Sequence, residues 1–144
     1  MLKKLSLLAL LCASSVGFAA DTVVNGKVWS VEYNTASAFY SAAKGEQEVT
    51  FECLLGDMTF AMHDDATGAE FNSRDDRVKV AIDGIIYKVP TTLQERAKFY
   101  SAVSNAIDSF QLFGGNGEES KVYPIQELRS LFQSVEFDLS DCKE

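Results

Sequence analysis

Apolar and polar residues alternate along several stretches of this chain, which predicts strands that each bury one face. The alternation is clear over residues 27–33, 48–54 and 58–62, where aromatic, β-branched, sulfur-containing or other apolar side chains occupy every second position. Such period-two patterns are typical of antiparallel sheets with one face on a core. Residues 37–43 fit either another strand or a helical turn that ends at Gly45.

Residues 77–89 carry the clearest local pattern, which predicts a β-hairpin. Two alternating apolar runs flank Asp83-Gly84, and this dipeptide suits a type I′ turn, which needs positive φ at both central residues. A two-residue loop pairs Ile82 with Ile85. It also places six apolar side chains on one face of the hairpin: Val78, Val80, Ile82, Ile85, Tyr87 and Val89.

Two helices are predicted in the second half of the chain. Thr91 and Thr92 are each followed three residues later by Gln94 or Glu95, which is the spacing of a capping box at a helix start. Apolar residues at three- and four-residue steps then predict a long helix with one face on the core: Leu93, Ala97, Tyr100, Val103, Ile107 and Phe110. Pro124 suits the first turn of a second, shorter helix.

These elements sum to a strand-rich α+β fold with about six to eight strands. We expect an antiparallel β-sandwich-like arrangement or one curved sheet, with one long and one short helix packed against it. Residues 64–76 are polar and rich in turn-forming residues, so they are expected to form a long loop. Residues 135–139 alternate once more, which predicts a final strand.

The first 19 residues have the pattern of a secretory signal peptide. Lys3 and Lys4 precede a largely apolar run over residues 5–16, and Gly17 and Ala19 supply the small residues that signal peptidase requires before the cut. The apolar run is shorter than the roughly 20 residues that span a bilayer, so no stable membrane anchor is expected. We therefore predict a periplasmic or secreted protein.

Two cysteines, Cys53 and Cys142, remain once residues 1–19 are removed. An even number of cysteines in an exported chain predicts a disulfide, and only one pairing exists within the chain. The bond would tie the last residues to the middle of the fold. Residues 20–144 are therefore expected to form a single disulfide-bonded domain, with two buried free thiols as the alternative.

The exported chain would be strongly acidic. Two of the 13 basic residues and none of the 21 acidic residues lie in the predicted signal peptide, so the net charge becomes (13 − 2) − 21 = −10. This charge disfavours nucleic acid as a partner, because phosphate binding requires clustered lysine and arginine. Solubility through self-repulsion explains such a charge in most proteins. A cationic protein partner is the functional alternative.

Few residues suggest catalytic or metal-binding chemistry. His63 is the only histidine and no nucleophile motif flanks it, so we interpret it as an exposed strand-end residue and expect no catalytic site and no cofactor. Met58 and Met62 suggest copper ligands, but strand alternation turns them to the core face, away from His63.

Acidic residues crowd the predicted loop over residues 64–76. Their oxygens are the only candidates for a calcium site, although their spacing does not match an EF-hand, and a solvated loop is the simpler interpretation. The candidates are Asp64, Asp65, Glu70, Asp75 and Asp76. So many acids also suggest the paired carboxylates of a glycosidase, but nothing marks two of them as buried.

Four aromatic residues, Trp29, Tyr33, Phe39 and Tyr40, lie close together in the sequence. They would either line an exposed binding face or fill the core. Aromatic residues at alternating positions more often belong to the core, which is the interpretation we favour.

The order of these features resembles that of small exported proteins of Gram-negative bacteria. The features are a signal peptide, Trp29 in the first strand, a strand ending at Cys53, residues 78–84, a helix with Phe99, and a closing segment that ends at Cys142. The resemblance is to the invasion-associated protein B family and to a type VI secretion-associated accessory family. It implies a compact, β-sandwich-like periplasmic domain without known catalytic residues. Residues 83–87 also resemble the Ser-Gly-x-x-Tyr loop of periplasmic lysozyme inhibitors, with Asp83 at the serine position.

The leading functional hypothesis is a non-enzymatic periplasmic accessory or protein-binding module. It rests on the predicted export, the single domain and the lack of a recognisable catalytic set. The second hypothesis is a periplasmic inhibitor or immunity protein that acts on a cationic cell-wall hydrolase such as lysozyme, because opposite charge speeds encounter. The third is a small metal-binding protein or hydrolase.

Overall fold

The computed structural model describes residues 22–143, so the predicted signal peptide, residues 1–19, lies outside the described residues. The strands are β1 (Thr22–Asn25), β2 (Trp29–Tyr33), β3 (Ser37–Lys44), β4 (Gln47–Leu54), β5 (Asp57–Asp64), β6 (Glu70–Asn72), β7 (Lys79–Ile82), β8 (Ile85–Lys88), β9 (Ser109–Phe113) and β10 (Tyr123–Pro124). The helices are α1 (Leu93–Ser104), α2 (Gln126–Gln133) and a short 3-10 helix (Phe137–Leu139).

These strands form two antiparallel sheets. The larger sheet is a meander in which β1 to β6 pair in chain order. The smaller sheet has the order β10-β9-β7-β8. The helix α2 contacts both α1 and β2, so the helices lie on the core side of the larger sheet. The predicted class, a strand-rich α+β fold with antiparallel sheets, one longer and one shorter helix, is confirmed.

One continuous core joins both sheets and both helices. Phe51 on β4 lies at a point where they meet. Its ring centroid is 5.2 Å from that of Phe60 on β5, 5.9 Å from Phe110 on β9 and 6.0 Å from Phe132 on α2. Aromatic pairs at these separations add stabilisation beyond the burial of their area. Most of the aromatic residues therefore lie in the core, as their alternating positions in the sequence predicted.

The predicted disulfide between Cys53 and Cys142 is present, with 4.8 Å between the two Cα atoms. It joins β4 to the segment that follows α2 across 89 positions of sequence. Bonds of this kind are characteristic of proteins that fold in an oxidising compartment. Among residues 22–143, no helix has the length and apolar character needed to cross a membrane.

The two strongest local predictions, the Asp-Gly turn and the capping box, are confirmed. Asp83 and Gly84 have φ of 52° and 78°, so both central residues of the turn have the positive φ that type I′ requires. Thr92 caps α1: its hydroxyl accepts the Glu95 N–H at 3.1 Å, and the Glu95 carboxylate accepts the Thr92 N–H at 3.2 Å.

The hairpin has the predicted register but not the predicted burial. Ile82 pairs with Ile85 and Val80 pairs with Tyr87. Val80 and Ile82 are buried, whereas Ile85 is 60% exposed. The difference arises because β8 is the edge strand of the smaller sheet, so its side chains lie at the margin of the core.

Two expectations for segments between elements are wrong. Residues 64–76 are not only loop, because β6 lies within them and pairs Phe71 with Met62 on β5. The segment 135–139 contains no strand: Phe137–Leu139 form the short 3-10 helix, and Leu139 is 79% exposed. The Tyr100 hydroxyl donates hydrogen bonds to the carbonyl of Phe132 in α2 and to that of Val135, so the Val135 carbonyl is engaged by α1 instead of by a neighbouring strand.

The long helix is shorter than its apolar stripe predicted. It ends at Ser104, and Asn105 caps it by donating its N–H to the Ser101 carbonyl at 3.0 Å. Ile107 therefore lies outside the helix and is 74% exposed, while Phe110 belongs to β9. The stripe continued past the helix because a buried strand and a helix face both supply apolar residues at spacings of three or four.

Candidate functional site

The face of the larger sheet opposite the core carries side chains in rows that run across the strands. One row is set by the pairing of Glu32 with Phe39, of Phe39 with Glu52 and of Glu52 with Thr59. A second row contains small and hydroxylated residues: Ser30, Ser41, Thr50, Ala61 and Asn72. Because side chains alternate along each strand, all of these point to the side away from the buried positions.

This outer face is acidic. Outward positions on β1 to β6 hold five carboxylates and no lysine or arginine, and His63 is the only other titratable group there. The carboxylates belong to Glu32, Glu48, Glu52, Asp57 and Glu70. We call this surface the acidic sheet face. Its charge is a large part of the formal net charge of −8 for the whole chain.

Most of these carboxylates lack a cationic partner. Among residues 22–143, Glu32, Glu48, Glu52 and Asp57 form no ion pair. Lys44 ends β3 but lies on the opposite side of the strand, where its Nζ donates to the Val122 carbonyl at 3.1 Å. The five outward carboxylates outnumber Arg74, which lies near Glu52 and Asp57, so the face keeps a negative potential that favours approach of a cation.

Phe39 places an apolar ring between two of the acids. Its side chain is exposed, and it pairs with Glu32 on one side and Glu52 on the other. An aromatic ring beside carboxylates suits the long, partly apolar side chains of lysine and arginine, whose stems pack on rings while their heads meet the charge.

A groove runs along the acidic sheet face. One concavity of about 430 Å³ is lined by residues that include Phe39, Thr50 and Asn72. A second, of about 380 Å³, adjoins it through the shared residues Glu52 and Thr59. Arg74 also borders both concavities and is the one cation on their rim. Apolar, hydroxylated and charged side chains all line the groove, so it suits an extended chain or a protruding loop more than a small apolar ligand.

His63 lies at one end of the face and has two acidic neighbours. Its Nε2 is 2.6 Å from the Asp65 carboxylate and its Nδ1 is 3.5 Å from that of Glu70. The hydrogen bond with Asp65, more than the weaker one with Glu70, raises the pKa of His63 above its usual 6.5. Its side chain is 55% exposed. The interpretation of His63 as an exposed strand-end residue is confirmed.

The five candidate calcium ligands do not point at one spot. Their partners are separate: Asp64 bonds Gln47, Asp65 and Glu70 flank His63, Asp75 bonds Asn72, and Asp76 accepts the Gly115 N–H. Within the described part of the chain, no three histidine, cysteine or acidic side chains are grouped so that they could hold a metal ion. Met58 and Met62 are buried on the core face, as the alternation predicted, with His63 on the other side.

Asp64 differs from the other acids because it is buried. Its Oδ2 accepts a 3.1 Å hydrogen bond from Gln47, and its Oδ1 accepts the Ala66 N–H at 2.9 Å. The hydrogen bond from Gln47 is the main cause that holds the pKa of Asp64 below its usual value. Gln47 in turn accepts the Lys121 N–H at 2.7 Å, so Asp64 belongs to a network that joins the larger sheet to the segment before β10.

Of the four neighbouring aromatic residues, only Phe39 lies on the acidic sheet face. Trp29 and Tyr40 are buried, and Tyr33 is partly buried on the core side of the sheet. The sequence did not predict an acidic surface from the acids of β2, β4 and β5, because each outward residue was considered separately from those on neighbouring strands. Their outward positions were a usable signal, but only the pairing register makes them neighbours.

Comparison of the chain with protein-family models, with curated proteins and with solved structures finds no match.

Proposed function

We propose that this protein is a non-enzymatic periplasmic binding module that docks a cationic protein on the acidic sheet face. The observation that carries the proposal is the charge of that face: five carboxylates and no lysine or arginine at the outward positions of β1 to β6. Complementary charge steers encounter and favours one class of partner over others. The signal-peptide pattern of residues 1–19 and the disulfide support a periplasmic location.

The groove supports the choice of a protein over a small molecule. Its two adjoining concavities follow the strands and leave room for several side chains of a partner. Phe39 offers an apolar contact between Glu32 and Glu52, so that a lysine or arginine placed there would gain both packing and charge. Such a mixed contact is the usual composition of a recognition surface that is not permanent.

The test compares two variants that lose the same charge at different places. Glu48→Gln/Glu52→Gln removes two carboxylates from the acidic sheet face. Glu119→Gln/Glu136→Gln removes two exposed carboxylates elsewhere and is the matched control. Immobilised wild-type protein and both variants would be used to capture proteins from an envelope extract at low and high salt.

We expect the wild-type and control baits to capture the same basic proteins, and the Glu48→Gln/Glu52→Gln bait to capture on the order of tenfold less. High salt should release these partners, because surface charge interactions are screened. Equal capture of the partner by the face variant would overturn the assignment of this face. Capture of acidic proteins alone, unaffected by salt, would overturn the cationic class.

A second candidate function has support from the same face. An inhibitor of a cationic cell-wall hydrolase would need an acidic surface that can pack against the basic enzyme. The acidic sheet face with its groove is such a surface. The assay measures the activity of several basic lysozymes with the mature protein at micromolar concentration. Inhibition that the Glu48→Gln/Glu52→Gln variant loses and the Glu119→Gln/Glu136→Gln variant keeps supports the inhibitor. Unchanged activity of every lysozyme removes it for those enzymes and leaves the binding-module proposal to the capture experiment.

A further inference from the structure

A separate cavity of about 280 Å³ lies at the other side of the larger sheet, between β1–β3 and the segment after α2. Tyr33, Ala38 and Tyr40 form its sheet wall, on the side opposite the acidic sheet face. Leu139 and Asp141 from the C-terminal segment form the facing wall. The volume lies just below the range of about 300–1,000 Å³ typical of drug-sized ligands, so it suits one side chain or a small amine.

The disulfide and the partly buried Arg96 hold the two walls together. Cys142 follows Asp141 directly and is bonded to Cys53, whose cross-strand neighbour is Ala38 in the sheet wall. The guanidinium of Arg96 donates to the Cys142 carbonyl at 3.0 Å and to the Lys143 carbonyl at 2.8 Å. The Asp141 wall is thus fixed from α1 as well as from β4, so the cavity is built into the fold.

Asp141 is a partly buried carboxylate with no compensating group. Among residues 22–143 it forms no ion pair and no hydrogen bond. The nearby cations are engaged elsewhere, because Lys143 pairs with Asp138 at 3.4 Å and Arg96 binds backbone carbonyls. Burial raises the pKa of the Asp141 carboxyl. A desolvated charge of this kind is costly until a cation of opposite sign compensates it.

Tyr33 and Tyr40 add aromatic rings, which favour the binding of an ammonium group beside the carboxylate. Tyr40 is buried, and its ring stacks on Phe51 with 4.6 Å between centroids, so its position is fixed by the core. Tyr33 lies beside it and is only partly buried, which leaves part of its ring open to the cavity. Ammonium groups bind well between an anionic side chain and the faces of aromatic rings.

We propose that this cavity binds an ammonium group, with Asp141 as the counter-charge and Tyr33 and Tyr40 as the aromatic wall. The group would be either that of a small amine or that of a lysine side chain, since both share the same chemistry and fit the volume. The proposal does not depend on the acidic sheet face, because the residues that form the cavity lie on the other side of the sheet.

The first experiment needs no variant. Choline and its neutral isostere 3,3-dimethylbutan-1-ol have the same shape and differ in charge, and the peptide acetyl-Gly-Lys-Gly-amide presents lysine. Each would be titrated into the disulfide-intact mature protein and followed by amide chemical shifts, with sodium chloride of equal ionic strength as the reference. We expect saturable shifts at Ala38, Ser140 and Asp141 with choline or the peptide, and none with the alcohol.

The second experiment uses a matched pair of variants. Asp141→Asn should weaken the binding of the responding cation about tenfold, because the counter-charge is lost. Asp138→Asn removes an exposed carboxylate three residues away and should leave binding within about twofold. Tyr33→Leu should weaken binding and Tyr33→Phe should retain it, since the ring and not the hydroxyl supplies the cation contact.

The outcomes distinguish the two sources of the ammonium group from each other and from failure of the proposal. Tighter binding of choline identifies a free small ammonium compound as the ligand, and tighter binding of the peptide identifies a lysine of a partner protein. Responses no larger than those to sodium chloride, equal responses to choline and the alcohol, or equal effects of Asp141→Asn and Asp138→Asn would each overturn the proposal. None of these results bears on the acidic sheet face.

Discussion

The backbone N–H of Trp29 at the start of β2 donates a 3.1 Å hydrogen bond to the carboxylate of Glu127 on α2. The same carboxylate accepts the N–H of Val28 at 2.6 Å and that of Lys27 at 2.7 Å. Three consecutive backbone N–H groups thus donate to one carboxylate that lies about 100 positions away in the sequence. The indole of Trp29 adds a 2.7 Å bond to the Pro124 carbonyl, so the link between β2 and the start of α2 is doubled.

Glu127→Gln should destabilise the fold by about 2 kcal/mol, because hydrogen bonds to a charged acceptor are worth more than neutral ones and the amide cannot accept from all three N–H groups. Urea denaturation at neutral pH measures the change. Glu119→Gln, at an exposed position without a side-chain partner among residues 22–143, should change stability by less than about 0.5 kcal/mol. Equal effects of the two substitutions would show that the amide cluster does not stabilise the fold.

Acid should weaken the fold through Glu127 and Asp83. Burial raises the pKa of each carboxyl, but hydrogen bonds from three backbone N–H groups lower it by a larger amount. Both pKa values therefore lie below the usual ones. For Asp83 the donors are the N–H groups of Ile107, Asp108 and Ser109. A lowered pKa gives stability that is present above the unfolded-state pKa and is lost as pH falls through the folded-state pKa.

The corresponding measurement is the free energy of unfolding of the wild type and of Glu127→Gln/Asp83→Asn at several pH values from about 5 down to about 3. The wild type should lose stability faster over this interval than the variant. Asparagine is chosen at position 83 because it tolerates the positive φ of the turn. Parallel curves for the two proteins would contradict the assignment.

Loss of the disulfide should remove a large part of the stability. Cys53 and Cys142 close a loop across 89 positions, for which the chain-entropy model gives about 4–5 kcal/mol. Cys53→Ala/Cys142→Ala and the wild type in reductant should both unfold at lower urea concentration than the oxidised wild type. If the double variant is as stable as the oxidised protein, the disulfide does not contribute to the stability of the fold.

His63 should titrate above pH 6.5, because protonation strengthens its contacts with Asp65 and Glu70. The raised pKa means that the stabilisation is present below the unfolded-state pKa and is lost as pH rises through the folded-state pKa. NMR of the imidazole signals measures the pKa directly. Asp65→Asn should lower it more than Glu70→Gln does, since the contact with Asp65 is 2.6 Å and that with Glu70 is 3.5 Å. The reverse order would contradict the geometry.

The exposed margins of the fold illustrate where local patterns fail. The run of alternating residues at 135–139 has the composition of a strand, but the Tyr100 hydroxyl engages the Val135 carbonyl, and Phe137–Leu139 form the short 3-10 helix. Ile85 has the spacing of a core residue and is exposed, because its strand is at the edge of the smaller sheet. In both cases the deciding contact, or its absence, involves residues distant in sequence.

The sequence alone determined the Asp83-Gly84 turn, the Thr92–Glu95 cap, the alternation of most strands and the single cysteine pairing. These follow from backbone conformations and counts that a few neighbouring residues decide. Only the tertiary structure placed Glu32 and Glu52 on either side of Phe39 and set Asp141 opposite Tyr33. Strand register and core packing are long-range properties. A shift of one residue in register would turn Glu32, Glu52, Phe39 or Tyr33 to the other face of the sheet, and Asp141 is placed by the disulfide at Cys142 and not by any strand.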